Sequence, residues 1–107
     1  MLVQTLVDAQ SVSADTQSSA VTLHMPKTIR GIVQYRTSSY SGLTNIIFKL
    51  QGRLSEDMEW IDVANTSKTH TSDTTTGVED ITLYPLMRCH MNISGTGSVT
   101  VDVQIGS

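Results

Sequence analysis

What the chain lacks narrows its chemistry before any motif is read. It has one cysteine, Cys89, which rules out an internal disulfide framework and a cysteine-based zinc site. No stretch approaches the ~20 apolar residues that a membrane-spanning helix requires. The apolar start, MLVQTLV, contains no Lys or Arg, so it does not read as a secretory signal peptide. Charged residues make up only 16% of the chain and the formal net charge is -3, so bulk charge offers nothing to a phosphate backbone. Neither a nucleic acid nor a membrane is expected as a partner. Helical patterning is also missing, because no apolar stripe at 3.6-residue spacing reaches helix length.

What is present favours strands. Ser and Thr supply about a quarter of the residues, and with Val and Ile they tilt the composition toward β structure and turns. At 107 residues the chain is long enough for one core, so residues 1–107 are expected to form a single domain. Val99, Val101, Val103 and Ile105 alternate with Thr100, Asp102 and Gln104, the clearest period-two run in the chain. Met87, Cys89, Met91 and Ile93 alternate in the same way, and the intervening SGTGS predicts a β-hairpin over 86–105. Further strands are predicted over 28–36, over 46–51, from Val21 to Met25, at Ile61 and Val63, and from Val78 to Leu83. The polar segments SVSADTQSS, RTSSYSG and NTSKTHTSDTTTG read as surface loops. Seven or eight strands at this spacing predict an all-β, two-sheet β-sandwich, with jelly-roll and immunoglobulin-like topologies both open.

No catalytic set is visible. The Gly-x-Ser-x-Gly of a nucleophile elbow does not occur, and Gly95-Thr96-Gly97-Ser98 leads into a strand without the Lys of a phosphate cradle. His24, His70 and His90 lack ligand-like spacing, while Cys89 lies on the apolar face of its strand, as a small buried hydrophobe does. No catalytic residue, metal site or cofactor is therefore expected. The stretch LQGRLSEDMEWIDVAN sets the single tryptophan, Trp60, among Glu56, Asp57, Glu59 and Asp62. A calcium loop would need oxygen donors at alternating positions and a glycine, which SEDMEWID does not supply. A sugar platform would need an exposed, flat Trp60. In a chain with so few aromatic residues the bulkier expectation is a core Trp60 packed with Phe48 and Leu50.

FKLQGRLSEDMEWIDV, followed later by LMRCHMNISGTGSVTVDV, resembles a pattern of small tailed-phage structural proteins of the capsid decoration, or cement, type. Gln51, Gly52, Trp60, Asp62, Arg88, Gly95, Gly97 and Val99 to Val103 carry the likeness, over roughly residues 44–105. Met58 departs from it, standing where the common turn has glycine. The resemblance implies a non-enzymatic β-sandwich on the outer capsid surface of a virion assembled in the host cytoplasm, with the major capsid protein as its partner. A carbohydrate-binding or tail or head-fibre appendage module is the alternative. Such proteins work in repeated copies, so a homo-oligomer, trimer or dimer, is expected. Leu2, Val3, Leu6 and Val7 are more apolar than a free terminus needs. Two readings of residues 1–8 stand side by side: an arm that adds to a neighbour's sheet edge, and the first strand of the protein's own sheet.

Overall fold

Two very long strands organise the fold. In the computed structural model, which describes residues 3–23 and 29–107, β4 runs from Ile29 to Arg53 and β8 from Leu86 to Gly106. They pair antiparallel along almost their whole length, from Ile32 opposite Gly106 to Arg53 opposite Leu86. Shorter strands line both sides of this ribbon. Along β8 lie β1 (Val3–Val12), β2 (Thr16–Gln17) and β3 (Val21–Thr22). Along β4 lie β5 (Ile61–Asp62), β6 (Lys68–His70) and β7 (Thr74–Leu83). Over the described residues the protein is thus all-β, with eight antiparallel strands joined by hydrogen bonds into one sheet.

The predicted hairpin over 86–105 is not formed. Gly95 and Gly97 do have positive φ, 91° and 155°, as turn glycines would. Here they bulge a continuous strand, and β4 rather than β8 itself lies opposite. A Cβ on Gly97 would overlap the Ser41 carbonyl, so this crossing admits only glycine. RTSSYSG is likewise not a loop but the middle of β4. Between Ser38 and Asn45, β4 advances seven residues while β8 runs back six, from Thr100 to Ser94. The extra residue changes the phase of the alternation: Val33, Tyr35 and Thr37 face inward before the bulges, and Ile46, Phe48 and Leu50 after them. Without the bulges a one-residue slip would turn one of these sets outward.

The ribbon folds back at its bulges so that the buried faces of its halves meet. Tyr35 and Phe48 stack with ring centroids 4.8 Å apart and planes 11° from parallel. Around them the core collects Leu6, Val7, Leu23, Ile81, Leu83, Met87, Cys89, Met91 and the Val99–Ile105 alternation, all buried. Each such side chain contributes roughly 1.5–3 kcal/mol on leaving water.

Polar side chains fix the irregular points. Thr66, itself buried, accepts from the Leu50 N–H and donates to the Val63 carbonyl, while its own carbonyl accepts from the Tyr35 hydroxyl at 2.7 Å. His70 reaches Thr37 through Nδ1 at 3.0 Å and Thr76 through Nε2 at 2.6 Å, and meets Phe48 edge-on. NTSKTHTSDTTTG is therefore no plain loop, since it holds β6, the start of β7 and this buried histidine. Arg30 braces the bulge at Asp80, where φ is 60°, through the Asp80 carboxylate, the Asp80 carbonyl and Thr82.

Residues 3–12 form a strand of the protein's own sheet. Leu6 and Val7 are 7% and 2% exposed and belong to its core, so they are not free for a partner, and only Val3 lies exposed. Leu2 lies outside the described residues, as do Met25, Pro26 and His24.

Candidate contact surface around Trp60

Strand register alone brings the site together. Ile46, Phe48, Leu50 and Gly52 face the core, so Lys49, Gln51 and Arg53 point outward from the same stretch of β4. On β8 the inward Met87, Cys89 and Met91 leave Arg88 and His90 on the outer face, with Arg88 opposite Gln51. On the other side β5 sets Asp62 opposite Gln51 and Ile61 opposite Gly52, which leaves the preceding residue, Trp60, beside Arg53.

The outward side chains form one connected cluster. The Arg88 Nε–H donates to Gln51 Oε1 at 2.8 Å, and Gln51 Nε2 donates to Asp62 Oδ1 at 3.0 Å. Lys49 Nζ bridges the other Asp62 oxygen at 3.1 Å. The Gln51 amide and the Lys49 ammonium hold the Asp62 carboxyl below its usual range. The guanidinium carbons of Arg53 and Arg88 lie 4.3 and 4.5 Å from the centroid of the Trp60 ring, placing both cations against its π face. Partial burial, and then the Arg53 charge, push the Arg88 guanidinium below its ordinary value.

Trp60 is consequently not a core residue. It is half-buried on the outer surface, away from Phe48 and Leu50, both of which are fully buried. The reason is parity: Gly52 takes the inward position at this end of β4, and Tyr84 packs against it. The bulk expected of Trp60 is supplied by the Tyr35–Phe48 stack. Nor is its ring a bare platform for a sugar, because guanidinium groups lie over it.

Around the cluster, the turn from Arg53 to Trp60 exposes Leu54 (61%) and Met58 (56%), and Ile61 follows at 50%. Of the large apolar side chains most exposed among the described residues, only Val3 lies elsewhere. Glu56, Asp57 and Glu59 are exposed on the same turn and make no ion pair among the described residues. Arg53 Nη1 holds the turn by its backbone instead, reaching the Met58 carbonyl at 3.3 Å and that of Glu56 at 3.5 Å.

Other chemistry-bearing groups are accounted for locally. The Cys89 thiol is wholly buried, and loss of solvent pushes it up to about 12. Among the described residues no three His, Cys, Asp or Glu side chains converge as metal ligands would. A shallow hollow of about 200 Å³ between Gln34, Arg36, Thr75, Asp102 and Gln104 already has its charges paired, Arg36 with Asp102 at 2.9 Å.

Of the residues that carry the phage-protein likeness, Gln51, Gly52, Trp60, Asp62 and Arg88 meet here, whereas Gly95 and Gly97 lie at the ribbon's bend. The N-terminal residues named as contact candidates do not belong to this surface. Arg53, Leu54, Met58 and Ile61 were not named as contact residues from sequence; the available signal was the density of charged and apolar residues around a lone tryptophan. The chain matches no protein-family model and no curated protein sequence.

Proposed function

We propose that the chain is a non-enzymatic structural protein of a tailed-phage virion, a capsid decoration protein that binds the shell of the major capsid protein and stabilises it. The observation that carries the structural, contact-making part of this reading is the surface of residues 53–62 with Arg88. It combines a tryptophan, two arginines and the exposed apolar side chains of Leu54 and Met58, the composition found at the centre of protein–protein contacts. That the likeness-bearing residues Gln51, Trp60, Asp62 and Arg88 form one outward cluster supports a shared role in contact rather than in folding. We further infer that the two halves of the folded-back ribbon act as the two layers of a β-sandwich. The Tyr35–Phe48 stack supports that arrangement.

A decoration protein needs a rigid body, a contact surface and many copies. Modest individual contacts then sum over a symmetric shell by avidity. The reading is tested by co-sedimentation of the purified protein with shells assembled from the major capsid protein of the virus encoding it. Saturable binding is expected, together with the protein's presence in purified virions by mass spectrometry. No binding, and absence from virions, would refute it.

A further inference from the structure

The charges of the 53–62 surface are unbalanced in two places at once. Arg30 and Arg36 each hold a carboxylate, Asp80 and Asp102, at 2.9 Å. Arg53 and Arg88, the remaining arginines, hold none among the described residues. Arg53 Nε is shielded from solvent and has no hydrogen-bond partner, although an unmet buried donor carries a cost. Yet Glu56, Asp57 and Glu59 stand only a few residues away and point into solvent. Within the chain Arg53 Nη1 is bound instead to the Glu56 and Met58 carbonyls of the turn.

This surface thus carries arginines without carboxylates, carboxylates without cations and the exposed Leu54 and Met58 of the same turn. Its unpaired charges are of both signs, as an isologous contact needs: about a two-fold axis near Leu54 and Met58, each copy's acidic turn would meet the other's arginine pair. Resting on the reading of this region as a protein-contact surface, we propose that its partner is a second copy of this chain. In the dimer Arg53 and Arg88 over Trp60 receive Glu56, Asp57 or Glu59 of the other copy, and Leu54 and Met58 are covered. The shell is then met by another part of the dimer.

Sedimentation velocity over a concentration series tests this, with Trp60 emission as a second readout, since it is the only tryptophan in the chain. A dimer is expected whose formation shifts Trp60 emission and weakens with added salt. Arg53→Glu with Arg88→Glu should raise the dissociation constant at least about tenfold. Glu56→Arg with Asp57→Arg and Glu59→Arg should do the same. Mixing the two variants should restore a heterodimer, an outcome that misfolded proteins cannot give. A wild-type chain that stays monomeric, or a dimer that both reversals leave intact, would overturn the proposal. If the monomer binds shells and Arg88→Glu abolishes that binding, the partner is the shell and the second copy is refuted. If the chain dimerises through this surface but binds no shell, the dimer stands and the decoration role falls.

Discussion

Phe48→Ala tests the claim that the buried faces of the ribbon's two halves depend on each other. Phe48 is completely buried, stacks on Tyr35 at 4.8 Å from the opposite half of β4, and meets His70 edge-on at 5.0 Å. Removing the ring loses its transfer free energy and leaves a cavity, together about 3–5 kcal/mol in well-packed cores. The stack itself accounts for about 0.5–1.5 kcal/mol beyond area burial. A domain of this length has a total stability on the order of 5–15 kcal/mol, so the substitution removes about a fifth of it or more. At about 4–8 °C per kcal/mol, the melting temperature should fall by at least about 12 °C. The assay is guanidinium unfolding of the wild type and Phe48→Ala, with Phe48→Leu, Tyr35→Leu and their double variant for the cycle. The cycle isolates the contact across the bend, and a coupling of at least about 0.5 kcal/mol is expected. A Phe48→Ala protein within about 1 kcal/mol of wild type, or a coupling of zero, would refute the folded-back ribbon.

Thr66→Val keeps the shape of Thr66 but strips the partners from the Leu50 N–H and the Val63 carbonyl, and should cost about 2–4 kcal/mol by chemical denaturation. Burial holds the His70 imidazole below its ordinary value of 6.5, so the unfolded chain binds a proton first as the solution is acidified. Stability from this group is complete above about pH 6.5 and is lost as the pH falls below it, and unfolding free energies measured from pH 7.5 to 5 should show a slope that His70→Gln reduces. His90, also shifted downward by partial burial, supplies a slope of the same sign that remains in that variant. Cys89 should react with a thiol reagent only at the rate of unfolding, its thiol being buried and pushed up to about 12; fast labelling of the native protein would contradict its place in the core.

Alternation made the strands legible and concealed how they join. The inward set Met87, Cys89, Met91, Val99, Val101, Val103, Ile105 keeps one parity along the whole of β8, and a regular strand through SGTGS was already written in it. Two glycines of positive φ outweighed that signal, because turns and bulges ask for the same residue. In β4 the difficulty was the reverse. The inward set changes parity between Thr37 and Ile46, which reads as two strands until the extra residue is seen to be absorbed by bulges. Such a bulge is specified by the partner strand opposite it, and a single sequence does not identify that partner. Residues 3–12 were legible as a strand, and deciding whose sheet they join likewise required the pairing to β8.

The same error of pairing hid the contact surface. With 86–105 taken as a hairpin, Arg88 lies across from the last stretch of the chain, far from Trp60. With β8 paired to β4, Arg88 stands opposite Gln51, and its guanidinium reaches the ring that Arg53 already covers. Trp60 then becomes an outward residue, because a strand has two faces and Gly52 occupies the inward one. The acidic residues around Trp60 follow from that reversal. In a turn capping a core tryptophan, Glu56, Asp57 and Glu59 would be solubilising decoration. On a surface where two arginines lack carboxylates, they are the one feature that gives the patch a sign opposite to its own. The proposed self-complementarity of this surface therefore needs both the local turn of residues 53–62 and the pairing of distant strands that brings Arg88 to it.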